Sequence, residues 1–130
     1  MAKEFTLGKN ERLKSRKSIE KLFSEGKKFN TGFFRVTYMR VPAALGPLQF
    51  GTGVSAKNFK RAVDRNRIKR LIREAYRLQK TELYEKLKVK DAGLILFFIY
   101  NGKAIPAYKE VYEVLGTALE KLIKSIDELK

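Results

Sequence analysis

The 130-residue chain has no cysteine, no histidine and only three prolines. Without cysteine there can be neither a disulfide nor a thiolate metal site, and nothing calls for an oxidising compartment. The missing histidine also removes the usual general base near neutral pH, and with cysteine absent too, the thiolate nucleophile and the common zinc ligands are gone. Acidic residues are scarce, 14 against 29 Lys and Arg, and the three aspartates, Asp64, Asp91 and Asp127, are widely separated. A metal-dependent nuclease built from protein alone needs clustered carboxylates, so no catalytic and no metal-ligating residue is expected. Long apolar runs are missing as well: AGLILFFIY, residues 92–100, is about half the length of a membrane-crossing helix. The first residues do not resemble a signal peptide. The expectation is a cytoplasmic protein with no membrane contact.

What is abundant is positive charge, and its placement is uneven. The formal net charge is +15. Residues 1–30 carry +5, residues 31–56 +2, residues 57–80 +8, and residues 81–130 balance to zero. Charge that merely keeps a protein soluble is mixed in sign along a surface, whereas a one-sided excess is the footprint of a polyanion partner. Nucleic acid is the leading partner class. A basic amphipathic helix can also lie on anionic membrane, but here the apolar side of the helix is needed for the core.

The densest basic stretch is AVDRNRIKRLIREAYR, residues 62–77, uninterrupted by Gly or Pro. At 100° per residue, Ile68, Leu71, Ile72, Ala75 and Gln79 share one arc, the stripe of a core-facing helix. Asn66, Lys69, Arg70, Arg73 and Arg77 fall on the opposite arc, and Glu74 is spaced to reach both Arg70 and Arg77.

Around this helix the chain reads as a single domain, 1–130, with residues 1–14 a basic extended arm. Ser15 or Ser18 is positioned to cap a short helix whose Ile19, Leu22 and Phe23 form an apolar patch, and Gly26 suits the left-handed position that ends a helix. FFRVTYMRV, residues 33–41, alternates as a strand, with Phe34, Val36 and Tyr38 on one face and Phe33, Arg35, Thr37 and Met39 on the other. Residues 42–47 form a turn or loop. A second strand, residues 48–56, contains Gly51 and Gly53, which point to a bulge or to close approach of another backbone. Lys57, Lys60 and Arg61 make a basic loop. TELYEKLKV extends the helical region by a short turn, residues 94–100 form a strand buried on both faces, and Pro106 falls in the first turn of a last helix. One small mixed sheet covered by helices follows, an α+β sandwich, and its strand–helix–strand unit is ordinarily right-handed.

With these elements placed, the run GTGVSAKNFKRAVDRNRIKRLIREAYR resembles the protein subunit of bacterial ribonuclease P, a family marked by Arg-Asn-Arg and further basic residues, here Arg65, Asn66, Arg67, Lys69, Arg70 and Arg73. Length, the RLK of the arm at Arg12 to Lys14, the helix ending at Gly26 and the closing helix extend the resemblance over nearly the whole chain. It implies an α/β sandwich with a left-handed βαβ crossover, and an endoribonuclease subunit that helps a catalytic RNA remove the 5′ leader of precursor tRNA. The RNA performs the hydrolysis with divalent ions such as magnesium, held mainly by RNA.

Carried onto this sequence, the resemblance makes Arg65, Asn66, Arg67, Lys69, Arg70, Arg73, Arg77, Lys57, Lys60, Arg61 and Arg12 RNA-binding residues. Ile19, Phe23, Phe34, Val36, Tyr38 and Ser55 line a cleft for the single-stranded leader, where aromatic faces stack on bases. Many relatives have an aromatic residue where Ile19 falls. For Phe23, Phe34 and Tyr38 a plain core role stands beside this one, and the strand register at Phe33 to Tyr38 is open by one residue. The implied partners are ribonuclease P RNA and precursor tRNA, with no obligate protein partner. A ribosomal or other structural RNA-binding protein fits the composition equally well.

Overall fold

The computed structural model describes residues 16–41 and 48–128; the basic arm with Arg12, Ser15 and the loop at 42–47 lie outside the described residues. In chain order the elements are α1 (Arg16–Glu25), β1 (Lys27–Thr31), β2 (Phe34–Val41), β3 (Leu48–Val54), α2 (Ala62–Gln79), α3 (Thr81–Val89), β4 (Gly93–Tyr100) and α4 (Tyr108–Glu128). The sheet order is β1-β2-β4-β3. β1 and β4 flank β2 as antiparallel neighbours, while β3 runs parallel to β4. The fold is α+β, a mixed sheet of four strands with helices on both faces.

Alternation along the strands sorts the side chains into two layers. Phe34 and Val36 of β2 pair with Tyr100 and Phe98 of β4, and Leu48, Phe50, Thr52 and Val54 of β3 stand in register with Leu94, Leu96, Phe98 and Tyr100. Apart from the half-buried Thr52 and Val54, these form one core with Ile68, Ile72, Ala75 and Tyr76 of α2 and Val111, Leu115, Ala118, Leu119 and Leu122 of α4. Phe50 stacks on Tyr76, ring centroids 3.8 Å apart. Leu22 of α1 and Ile95 of β4 form a smaller cluster on the other face, flanked by Ile19, Met39, Val41 and Phe97.

The hand of the β3–α2–α3–β4 crossover follows from chirality. In a strand of L-residues running upward, a residue whose side chain faces the viewer sends its own N–H and C=O to the right. Seen from the α2 side, Phe98 and Tyr100 face the viewer, and their carbonyls accept from Thr52 Oγ1 (3.1 Å) and the Ser55 amide (3.5 Å) of the β3 side. β3 therefore lies to the right of β4, and the chain passes in front and returns to the left. The crossover is left-handed, against the rule that holds in about 98% of parallel connections. β3 itself turns Leu48, Phe50 and Val54 toward α2 and only Gln49, Gly51 and Gly53 toward the other face.

Several local expectations are corrected. β1, sequence KKFNT, was not anticipated, because Phe29 is its only large apolar side chain. Ser18 lies within α1 and not at its cap. Gly26 ends α1 without a left-handed backbone; among the described residues only Gly32 and Asp91 have positive φ, 55° and 51°. Gly26 is required because a Cβ would stand 2.4 Å from the Leu22 carbonyl oxygen and 2.9 Å from that of Tyr38. The pairing of β3 with β4 is continuous, so its glycines mark no bulge. The turn after α2 is a full helix, α3. Pro106 precedes α4, whose first bond runs from the Val111 amide to the Ala107 carbonyl (3.1 Å).

Candidate nucleic-acid interface

α2 presents two chemically opposite sides. Ile68, Ile72, Ala75 and Tyr76 are buried, while Leu71 and Gln79 are half-buried, so the apolar stripe is rotated toward Tyr76 relative to the one drawn from spacing. Asn66, Arg67, Arg70 and Arg73 are exposed and Lys69 is half-buried. Among the described residues no ion pair engages Arg67, Lys69, Arg70 or Arg73. Glu74 takes Arg77 alone: its two carboxylate oxygens accept from Arg77 Nε (3.2 Å) and Nη2. That hydrogen bond raises the guanidinium pKa still further. Arg77 is thereby the most committed cation of the stripe, and its neighbours keep their charge outward.

Arg65 has a different task. Its Nη1 donates to the carbonyls of Phe59 and Lys60, both at 2.8 Å, so the guanidinium clasps the loop that leads into its own helix. The loop is held from the other end by Asn58, whose side-chain amide donates to the carbonyls of Asn101 and Gly102 at 3.3 Å. Phe59 is buried and lies 6.0 Å from Tyr100. With its backbone fixed this way, the loop holds Lys57, Lys60 and Arg61 in solvent. Asp64 reaches Arg61 only at 3.9 Å across an exposed gap, an ion pair of little strength.

The other face of the sheet is only partly covered by α1. Ile19 and Phe23 are half-buried, and the Phe23 ring meets Phe97 edge to face at 5.1 Å and 69°. Gly53 of β3 is closed against the same ring: a Cβ there would lie 3.1 Å from Phe97 Cε1. An aromatic ring, and not another backbone, is the reason for a glycine at that point. Ser55 follows β3, half-buried, its carbonyl accepting from the amides of Asn58 and Phe59.

The expected cleft residues of β2 are corrected. Phe34 and Val36 are 1% and 0% exposed, in the core beneath α2 and α4, so they cannot line a cleft beside α1. Tyr38 shares their face and is half-buried against Phe29, 5.8 Å away. The strand residues turned toward α1 are Arg35, Thr37 and Met39, together with Phe97 and Ile99 of β4 and Gly51 and Gly53 of β3. Arg35 is exposed, Phe97 and Ile99 half-buried. The alternate set of β2 was legible as a set, but Phe97 and Ile99 were missed as residues of this face because the run 94–100 reads as buried on both faces, and Gly53 because a glycine within a strand reads as a bulge or a close backbone approach.

The two surfaces thus lie on opposite faces of the sheet and meet around β3. Among the described residues no three of His, Cys, Asp and Glu gather to hold a metal ion, and no helix is long and apolar enough to cross a membrane.

Comparison with known proteins places this arrangement. The family model described as Ribonuclease P matches residues 7–126. The ribonuclease P protein component of Porphyromonas gingivalis strain W83 is 33% identical over 123 residues, covering 94% of this chain and 90% of the relative. That of Chlorobaculum tepidum is 34% identical over 130 residues, covering 92% and 84%. The solved structure of the Staphylococcus aureus ribonuclease P protein superposes with a TM-score of 0.70 at 20% identity, covering 86% of this chain and 94% of that one.

Proposed function

Because this chain belongs to the ribonuclease P protein family, we propose that it grips the RNA subunit of ribonuclease P with the outer face of α2 and holds the 5′ leader of precursor tRNA on the partly covered sheet face beside α1, leaving hydrolysis to the RNA. The observation that carries this reading is the row of exposed Asn66, Arg67, Arg70 and Arg73 with the half-buried Lys69 among them, without acidic partners among the described residues. Guanidinium forks and ammonium groups of this kind fit phosphate oxygens. Lys57, Lys60 and Arg61 extend the cationic surface along the fixed loop. Arg65 serves mainly by positioning that loop, and Arg77 by way of Glu74.

On the leader side, Phe23 and Phe97 supply ring faces and edges for unpaired bases, Ile19 and Ile99 supply apolar walls, and Arg35 supplies charge. Divalent ions such as magnesium belong to the RNA in this scheme. The work is cytoplasmic and needs no further protein subunit.

The test is reconstitution: the full chain mixed with a bacterial ribonuclease P RNA transcript is expected to stimulate leader removal from precursor tRNA at low magnesium. An unchanged rate would favour a ribosomal or other structural RNA-binding protein, and cleavage by protein alone would overturn the division of labour. With about 6 to 10 phosphates neutralised, RNA affinity is expected to fall by about a thousandfold or more between 50 and 200 mM salt.

A further inference from the structure

Beside the cationic stripe of α2, α4 carries an aromatic pair that the role above leaves unused. Tyr112 is 39% exposed. Its backbone is tied to the end of α2: Gln79 Nε2 donates to the Tyr112 carbonyl (3.0 Å) and to the Ala75 carbonyl (3.2 Å). Gly116, one turn along, leaves the space that Gln79 fills, since a Cβ there would stand 2.6 Å from Gln79 Oε1. Behind Tyr112 lies the ring of Tyr108, centroids 6.1 Å apart at 51°. The Tyr108 hydroxyl is buried without a hydrogen-bond partner, and burial together with Glu74 pushes its pKa up.

An isolated exposed tyrosine is ordinary. This one has a second ring behind it, a backbone fixed by Gln79, and the Glu74–Arg77 pair within electrostatic reach of its supporting ring. An exposed ring next to a helix whose outer face carries Arg67, Arg70 and Arg73 fits a ligand that is both planar and anionic. A second copy of this chain, itself net +15, would bring like charge against this side of the molecule.

Resting on the RNA-binding role proposed above, we propose that Tyr112, backed by Tyr108, is a stacking platform for an unpaired base of the ribonuclease P RNA, extending the interface from α2 onto α4. The base lies on the Tyr112 ring, and its backbone runs toward the arginines of α2.

The test measures affinity of the full chain for a bacterial ribonuclease P RNA transcript between 50 and 200 mM salt. Tyr112→Ala is expected to weaken binding by about five- to a hundredfold, the range one base–aromatic stack commands, with the salt slope unchanged. Tyr112→Phe keeps the affinity, and Tyr112→Leu, which still covers Tyr108, loses it as Ala does. The double variant Arg70→Ala with Arg73→Ala instead flattens the slope by about two. If the Ala or Leu variant binds like the parent, or Phe loses as much as Ala, while the arginine variant still weakens binding, the platform is overturned and the RNA-binding role stands. Loss of self-association in place of RNA affinity would assign the ring to a second copy and overturn the platform. A parent chain that binds RNA without salt dependence overturns both.

Discussion

The two faces of the sheet are built from the same strands by alternate residues, yet one is closed and the other is not. Toward α2 and α4, Phe34, Val36, Phe50, Phe98 and Tyr100 interlock with two long helices and leave almost nothing exposed. Toward α1, a single 10-residue helix anchors through Leu22 and Ile95, and Phe97 and Ile99 remain half-covered. The closed face concentrates the apolar burial that holds the chain folded. The open face leaves rings and glycines only partly covered and one arginine exposed, which a small domain can do only if the other face suffices for stability.

That contrast can be broken experimentally. Phe98→Ala, on the closed face, is expected to destabilise the chain by about 3 to 5 kcal/mol, read from denaturant or thermal unfolding. Gly53→Val drives a branched side chain against the Phe97 ring and is expected to cost about 1 to 3 kcal/mol, while crowding the open face and lowering leader affinity. Phe97→Ala, on the open face of the same strand as Phe98, is expected to cost only about 1 kcal/mol in stability, with weaker binding of a leader oligonucleotide; a loss equal to that of Phe98→Ala would show both faces to be core.

The smallest effect is alkaline. Burial raises the pKa values of Tyr100 and Tyr108 above the ordinary tyrosine value of 10.0. A folded-state pKa above the unfolded one gives stability that is complete below about pH 10 and lost as pH rises through the folded value. Tyr100→Phe is expected to lower the melting temperature below pH 10, where the hydroxyl donates to the Ala104 carbonyl at 2.6 Å, and the gap to the parent is expected to narrow above it.

Periodicity made most of the closed face legible. The stripes of α2 and α4 and the alternation of β2 are local properties, written at 3.6 and 2 residues. The open face was harder to read because which alternate set meets which layer depends on partners distant in sequence. Phe34 and Phe97 look alike in the chain; one meets α2 and α4, the other the end of α1. Gly53 was marked as unusual, but its cause, the Phe97 ring, is 44 positions away in the chain. The basic face of α2 was read nearly whole, except that Arg65 turns back on its own loop, a geometry that charge counting does not reveal.

The clasped loop before α2 bears on kinetics. Arg65 and Asn58 tie residues 58–60 by hydrogen bonds within the chain itself, so in the RNA-binding role proposed above docking would not have to order that segment and forfeit its conformational entropy. Encounter then resembles the meeting of two preformed shapes, its speed governed by electrostatic attraction across water and not by a slow ordering step after first touch.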